Sequence, residues 1–140
     1  MANDRWVGVS LSGRYHIESL LGQGGMSAVY KATDPNLQRS VAIKMIHPHL
    51  TGNPEFVRRF ESEATAIARL RHPNIVQVFD LNHDGDLFYM VLEYVAGETL
   101  QSRIKRMNES GRQIPLAEAL LHTIQICNAA DYAHQRGMIH

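Results

Sequence analysis

The stretch Leu21-Gly22-Gln23-Gly24-Gly25-Met26-Ser27-Ala28-Val29-Tyr30-Lys31-Ala32-Thr33 places a glycine cluster directly ahead of a β-type run that ends at the turn Asp34-Pro35-Asn36. It carries the first two glycines of a G-x-G-x-x-G pattern, with Ser27 where the third belongs. Alone the pattern is weak, and a tight hairpin needing positive φ would use glycine equally well. The residues after the glycines separate the meanings: a dinucleotide-binding fingerprint must open a helix, whereas Ala28 to Thr33 reads as a strand. Two strands joined by glycines make a flap, which can lay backbone N–H groups over phosphates without side-chain collision. Ser27 is small enough for that arrangement, and Gly25 partly compensates for the backbone freedom it gives up.

On either side of the glycines, Tyr15 to Leu21, Ala28 to Thr33 and Ser40 to Ile46 are short runs separated by turn residues, which predicts an antiparallel meander. Asn53-Pro54-Glu55 supplies an N-cap, a proline suited to the first helical turn and an early acid. The helix they open should run to about Leu70, where His72-Pro73 stops it. Ile75 to Phe79 and Leu87 to Tyr94, joined through Asp84-Gly85-Asp86, predict two further strands and a hairpin. Beyond Gly97 the texture turns helical, with helices expected from Thr99 to about Met107 and from Leu116 to Arg136. The class is α+β: a tail over 1–10, a lobe of five antiparallel strands and one helix over 11–95, and the start of a helical part over 96–140.

Val41-Ala42-Ile43-Lys44 puts a lysine on the third strand, and alternation sets Lys44 on one face with Ala42 and Ile46. An ammonium aimed at an apolar interior needs a partner or an anion, whereas an edge-strand lysine would snorkel to water. On the helix, Phe56, Phe60, Ile67 and Leu70 form an inward stripe, and Glu63 falls on it. A carboxylate in an apolar stripe is expensive unless it meets a cation, so Lys44 is its candidate partner. The rival arrangement keeps Glu63 at the rim, paired with Arg59 or another surface residue.

Composition narrows the partners. Fourteen Lys and Arg balance fourteen Asp and Glu, so the chain as a whole has no electrostatic pull toward nucleic acid or anionic membrane. No apolar run reaches membrane-spanning or signal-peptide length, and the one cysteine, Cys127, cannot form an internal disulfide; both fit a cytoplasmic chain. Cys127, among helical apolar residues, reads as core. His47-Pro48-His49 lacks a convincing third metal ligand and reads as surface loop. Leu116 to Arg136 is apolar nearly all round, which belongs in a core with neighbours on several sides or in a self-association interface.

In order, the glycine flap, the Val-Ala-Ile-Lys strand, the helix with an inward Glu and the sheet closing on a linker resemble the small lobe of eukaryotic-like protein kinases. Leu21 to Ala32 and His72-Pro73-Asn74-Ile75-Val76 are most similar to the bacterial serine/threonine branch. The resemblance implies that Lys44 meets the α- and β-phosphates of ATP and, with the helix swung inward, Glu63. It also implies that Leu21, Gly22, Gln23, Gly24, Gly25, Met26 and Ser27 form the cover over the nucleotide. Val29 and Ala42 would roof the adenine, Leu92 would be the gatekeeper, and the backbone of Glu93 and Val95 would hydrogen-bond the adenine. A polar residue just after Gly97, such as Glu98, would reach the ribose.

The final residues, Tyr132 to His140, resemble the approach to a His-Arg-Asp catalytic loop up to its first letter. The proton-accepting Asp and the two metal-holding residues of such a kinase would come after His140. The expectation is therefore the ATP-binding portion of a serine/threonine kinase, inactive by itself, with Mg2+ and a protein substrate belonging to the complete enzyme. The alternative is a nucleotide-binding or pseudokinase-like interaction module without phosphotransfer. A small dinucleotide-dependent oxidoreductase is disfavoured by the strand that follows the glycines.

Overall fold

The computed structural model describes residues 4–139; the first three residues of the expected tail and His140 lie outside the described residues. The chain divides into two units, one built on the chain up to Arg71 with Val76–Tyr94, the other on His72–Ile75 with the chain from Val95 onward.

The first unit carries an antiparallel sheet of β1 (Ser10–Leu11), β2 (Tyr15–Gln23), β3 (Ser27–Asp34), β4 (Arg39–Ile46), β5 (Val78–Asp84) and β6 (Leu87–Glu93), ordered β1-β2-β3-β4-β6-β5. One helix, α1 (Pro54–Ala68), lies between β4 and β5 in sequence. The expected α+β lobe is thus present with one strand more, because β1 is two residues long and has no periodicity to read. The strand expected at Ile75 to Phe79 needs correction: it starts at Val78 and runs on through Asp80, Asn82, His83 and Asp84. As an edge strand it exposes most of these side chains, so an apolar run was the wrong signal for it.

The sheet curls, and each face of β4 feeds a different core. Val41, Ile43 and Met45 join Leu11, Tyr15, Ile17, Tyr30, Tyr89 and Val91 inside the curl. Ile46, on the other face, meets Met90 and the α1 residues Phe60 and Ala64. The curl is closed by polar contacts between distant strands: the Ser12 N–H donates to Asp84 at 2.6 Å, the Ser12 and Tyr89 hydroxyls meet at 2.6 Å, and the Tyr15 hydroxyl donates to Asp80 at 3.4 Å.

Asn53 caps α1 as its sequence predicts, accepting the Glu55 N–H on Oδ1 at 3.0 Å. The cap is exposed, so Asn53→Ala should lower stability by about 1 kcal/mol without moving the site, measured by urea unfolding.

The second unit carries α2 (Leu100–Glu109) and α3 (Leu116–Gln135). Both end on a glycine with positive φ, Gly111 at 68° and Gly137 at 79°. In each case the next N–H turns back to the helix, Arg112 to the Met107 carbonyl at 2.9 Å and Met138 to the Ala133 carbonyl at 3.0 Å. A side chain at either glycine would strain this stop. α3 buries none of its residues, leaving Leu116, Leu120, Leu121, Ile124 and Ile126 exposed. The core reading of Cys127 is therefore corrected, since its thiol is exposed.

Candidate functional site

The site grows from the register of three strands. β3 pairs Val29 with Lys44 of β4, and β4 in turn pairs Ala42 with Leu92 and Lys44 with Met90 of β6. Directly paired residues share a sheet face, and Ala42 and Lys44 share one by alternation. Val29, Ala42, Lys44 and Leu92 therefore line a single face, the one that α1 covers at its far end. β4 lies between β3 and β6, which rules out the edge-strand reading of Lys44.

α1 brings Glu63 to that lysine. The Lys44 ammonium donates to the Glu63 carboxylate at 2.8 Å, with the two side chains 26% and 48% exposed. This pair is thus wetter than the apolar stripe implied. Arg59, the rival partner, pairs instead with Glu55 one turn earlier on the helix. A small cleft of about 50 Å³ collects Met26, Ser27, Lys44, Ile46, Phe60 and Glu63, so the foot of the glycine flap opens onto the ion pair.

The flap is the hairpin between β2 and β3. Two register shifts in β2, between Ile17 and Ser19 and between Leu20 and Gly22, bend it away from a flat ribbon. Leu21 through Met26 are exposed. None of Gly22, Gly24 and Gly25 has positive φ, so the turn chemistry that would make glycine necessary is absent. A Cβ would meet nothing within 4 Å at Gly22 or Gly25, and only the Ser27 carbonyl at 3.6 Å at Gly24. The fold itself leaves room for side chains here. Glycines with no structural reason fit a surface against which something else must lie.

His47, set aside in sequence as a loop residue, touches this flap. Its N–H donates to the Met26 carbonyl at 3.0 Å and its ring Nε2 lies 2.7 Å from the Gly24 carbonyl. The only sequence signal was its place three residues after Lys44, on the opposite face of the same strand line.

At the far end of β6 the Glu93 N–H donates to the Gln77 carbonyl at 2.9 Å, so any adenine contact by this residue must use its carbonyl. Val95 is 64% exposed and belongs to the second unit. There Glu98 is engaged by Arg106 and Arg103, and the Arg106 guanidinium holds its carboxyl below the usual range. A cleft of about 310 Å³ next to Glu98 and Arg103 also includes His122, but its charges already answer one another through Glu118. It has the character of a satisfied network.

The family model described as protein kinase domain matches residues 15–140. The serine/threonine-protein kinase PrkC of Bacillus subtilis is 42% identical over 134 residues, covering 96% of this chain and 20% of that protein. PknA of Mycobacterium tuberculosis, also a serine/threonine-protein kinase, is 41% identical over 139 residues, covering 96% of this chain and 31% of its own length. The crystal structure of the Mycobacterium tuberculosis PknI kinase domain superposes with a TM-score of 0.77 at 31% identity, over 96% of this chain and 52% of that one. The chain thus spans a fifth to a third of these curated relatives and about half of the crystallised domain.

Proposed function

The chain belongs to the protein kinase family, and from that premise we propose that it is the ATP-binding portion of a serine/threonine kinase that phosphorylates protein hydroxyls. The observation that carries this reading is the Lys44–Glu63 pair at 2.8 Å, opening beside Met26 and Ser27 of the flap. A lysine whose carboxylate partner leaves it part-exposed keeps N–H donors for an anion, and Glu63 holds the ammonium in place while they wait. With the Gly24 N–H tied to the Ser27 carbonyl, Gly25 supplies a backbone N–H, in open space, that phosphate oxygens can approach closely. Val29, Ala42 and Leu92 form the apolar strip of the same face, suited to an adenine ring, with the Glu93 carbonyl as its polar contact in this unit.

Magnesium, expected for the complete kinase, would be held here by the nucleotide's own phosphates. Residues 1–140 contain no Asp in a His-Arg-Asp context to accept the substrate proton. For this polypeptide by itself we therefore propose binding without transfer. ATP as ligand and a reduced Cys127 both suit the cytoplasm. Self-association through α3 rests on its exposed leucines and isoleucines.

Thermal-shift titration tests the reading, because a ligand of the folded state must raise its stability. Mg-ATP is expected to raise the melting temperature of the 140-residue chain while no phosphate reaches a generic protein substrate. Gly24→Val should nearly keep the ligand-free melting temperature, since a Cβ there meets only the Ser27 carbonyl, at an ordinary contact distance of 3.6 Å, and weaken Mg-ATP binding. An unchanged affinity in that variant would remove the flap from the proposal. No shift with the parent chain would favour the scaffold-like interaction module.

A further inference from the structure

We propose that His47 is a positioning residue for the phosphate flap, fixing the orientation of the Gly24–Gly25 peptide so that the Gly25 N–H faces the Lys44 side. The proposal rests on the nucleotide reading above but concerns a residue outside the kinase motif set.

The Gly24–Gly25 peptide lies at the turn of the flap, between β2 and β3. Neither residue has a side chain, and a Cβ at Gly25 would meet nothing within 4 Å. The Gly24 N–H is tied to the Ser27 carbonyl at 2.8 Å and the Met26 carbonyl to the His47 N–H at 3.0 Å, which anchors the flap on both sides of the plane but leaves the plane itself free to rotate. Its carbonyl is held by His47 Nε2 at 2.7 Å. A carbonyl oxygen only accepts, so Nε2 carries the hydrogen, as it does in the imidazolium and in one neutral tautomer. The ring is itself steadied by His49, stacked with centroids 5.6 Å apart and planes 12° from parallel.

Two faces of the sheet make the direction matter. His47 borders a hollow with Trp6, Tyr30 and His49, whereas Lys44 borders the cleft with Ile46, Phe60 and Glu63. The described chain has no cis peptide, and in a trans peptide C=O and N–H leave opposite edges of the plane. Drawing the Gly24 oxygen toward His47 therefore turns the Gly25 hydrogen away from that hollow, toward the side where Lys44 would meet phosphates. A flip of the plane would present an oxygen to the anion instead.

The test compares His47→Leu, which removes the donor, with His47→Gln, whose amide N–H₂ can reach the same carbonyl. Calorimetric titration with Mg-ATP should show binding about five- to tenfold weaker for His47→Leu and within about twofold of the parent for His47→Gln, the size of one hydrogen bond. Hydrogen exchange of residues 24–28 without nucleotide should quicken in His47→Leu and not in His47→Gln. Equal affinity for His47→Leu and the parent, or a His47→Gln as weak as His47→Leu, overturns the proposal. If the parent chain takes up no Mg-ATP, the nucleotide reading fails, and exchange still decides the tether: equal rates in His47→Leu and the parent refute it.

Discussion

Lys44→Met is expected to weaken Mg-ATP binding by about ten- to a hundredfold while leaving the fold nearly as stable as before. The first half rests on charge-assisted hydrogen bonds, each worth about 1.5–3 kcal/mol, which an ammonium makes to phosphate oxygens and a thioether cannot. The second half rests on exposure. With Lys44 26% and Glu63 48% exposed, their mutual attraction is screened and contributes roughly 0–1 kcal/mol to folding. Methionine keeps the unbranched stem that packs between Val29 and Met90 across the neighbouring strands. Titration calorimetry together with urea unfolding separates the two effects. Unchanged affinity in Lys44→Met would place the nucleotide elsewhere, and a large loss of stability would make the pair a structural bridge.

Asp34→Ala should do the reverse, destabilising the first unit by about 2–4 kcal/mol with little direct effect on nucleotide contacts. Asp34 is fully buried at the end of β3, accepting Arg14 Nε at 3.0 Å and Nη2 at 2.7 Å on its two oxygens, and the Asn36 N–H at 3.1 Å. Alanine strips the turn of its acceptor and leaves Arg14 without this partner. A drop in melting temperature on the order of 10 °C is the expected readout. The pH dependence has a definite sign. The Arg14 hydrogen bond holds the Asp34 carboxyl below its ordinary value, so its contribution is complete above the ordinary carboxylate range, about pH 4, and is lost as pH falls through the lowered value. The stability gap between parent and Asp34→Ala should therefore be constant near neutrality and narrow in acid. A gap independent of pH down to about 2 would contradict the ion pair.

These two residues also show how unevenly the chain announces itself. Lys44 and Glu63 were legible because each lies on a periodic element, a strand of period two and a helix of period 3.6, and each periodicity points its residue at the same interior. Asp34 read only as a turn former, since nothing local brings Arg14, twenty positions earlier, against it. β5 was misplaced for a related reason: its outward face is polar, so the apolar run ended before the strand did. His47 looked like loop because its partner is a backbone carbonyl on another hairpin, which has no sequence signature.

Local chemistry alone therefore determined the α+β lobe with its glycine hairpin, the capped helix and the positions of Lys44 and Glu63 on the faces of their strand and helix, because propensity, capping and alternation act over a few residues. Only the tertiary structure decided that Lys44 sits on an interior strand 2.8 Å from Glu63, that Asp34 is a buried ion-pair partner, and that His47 holds the flap. Those outcomes depend on contacts between residues far apart in sequence, which strand pairing and the packing of α1 bring together and no local pattern encodes.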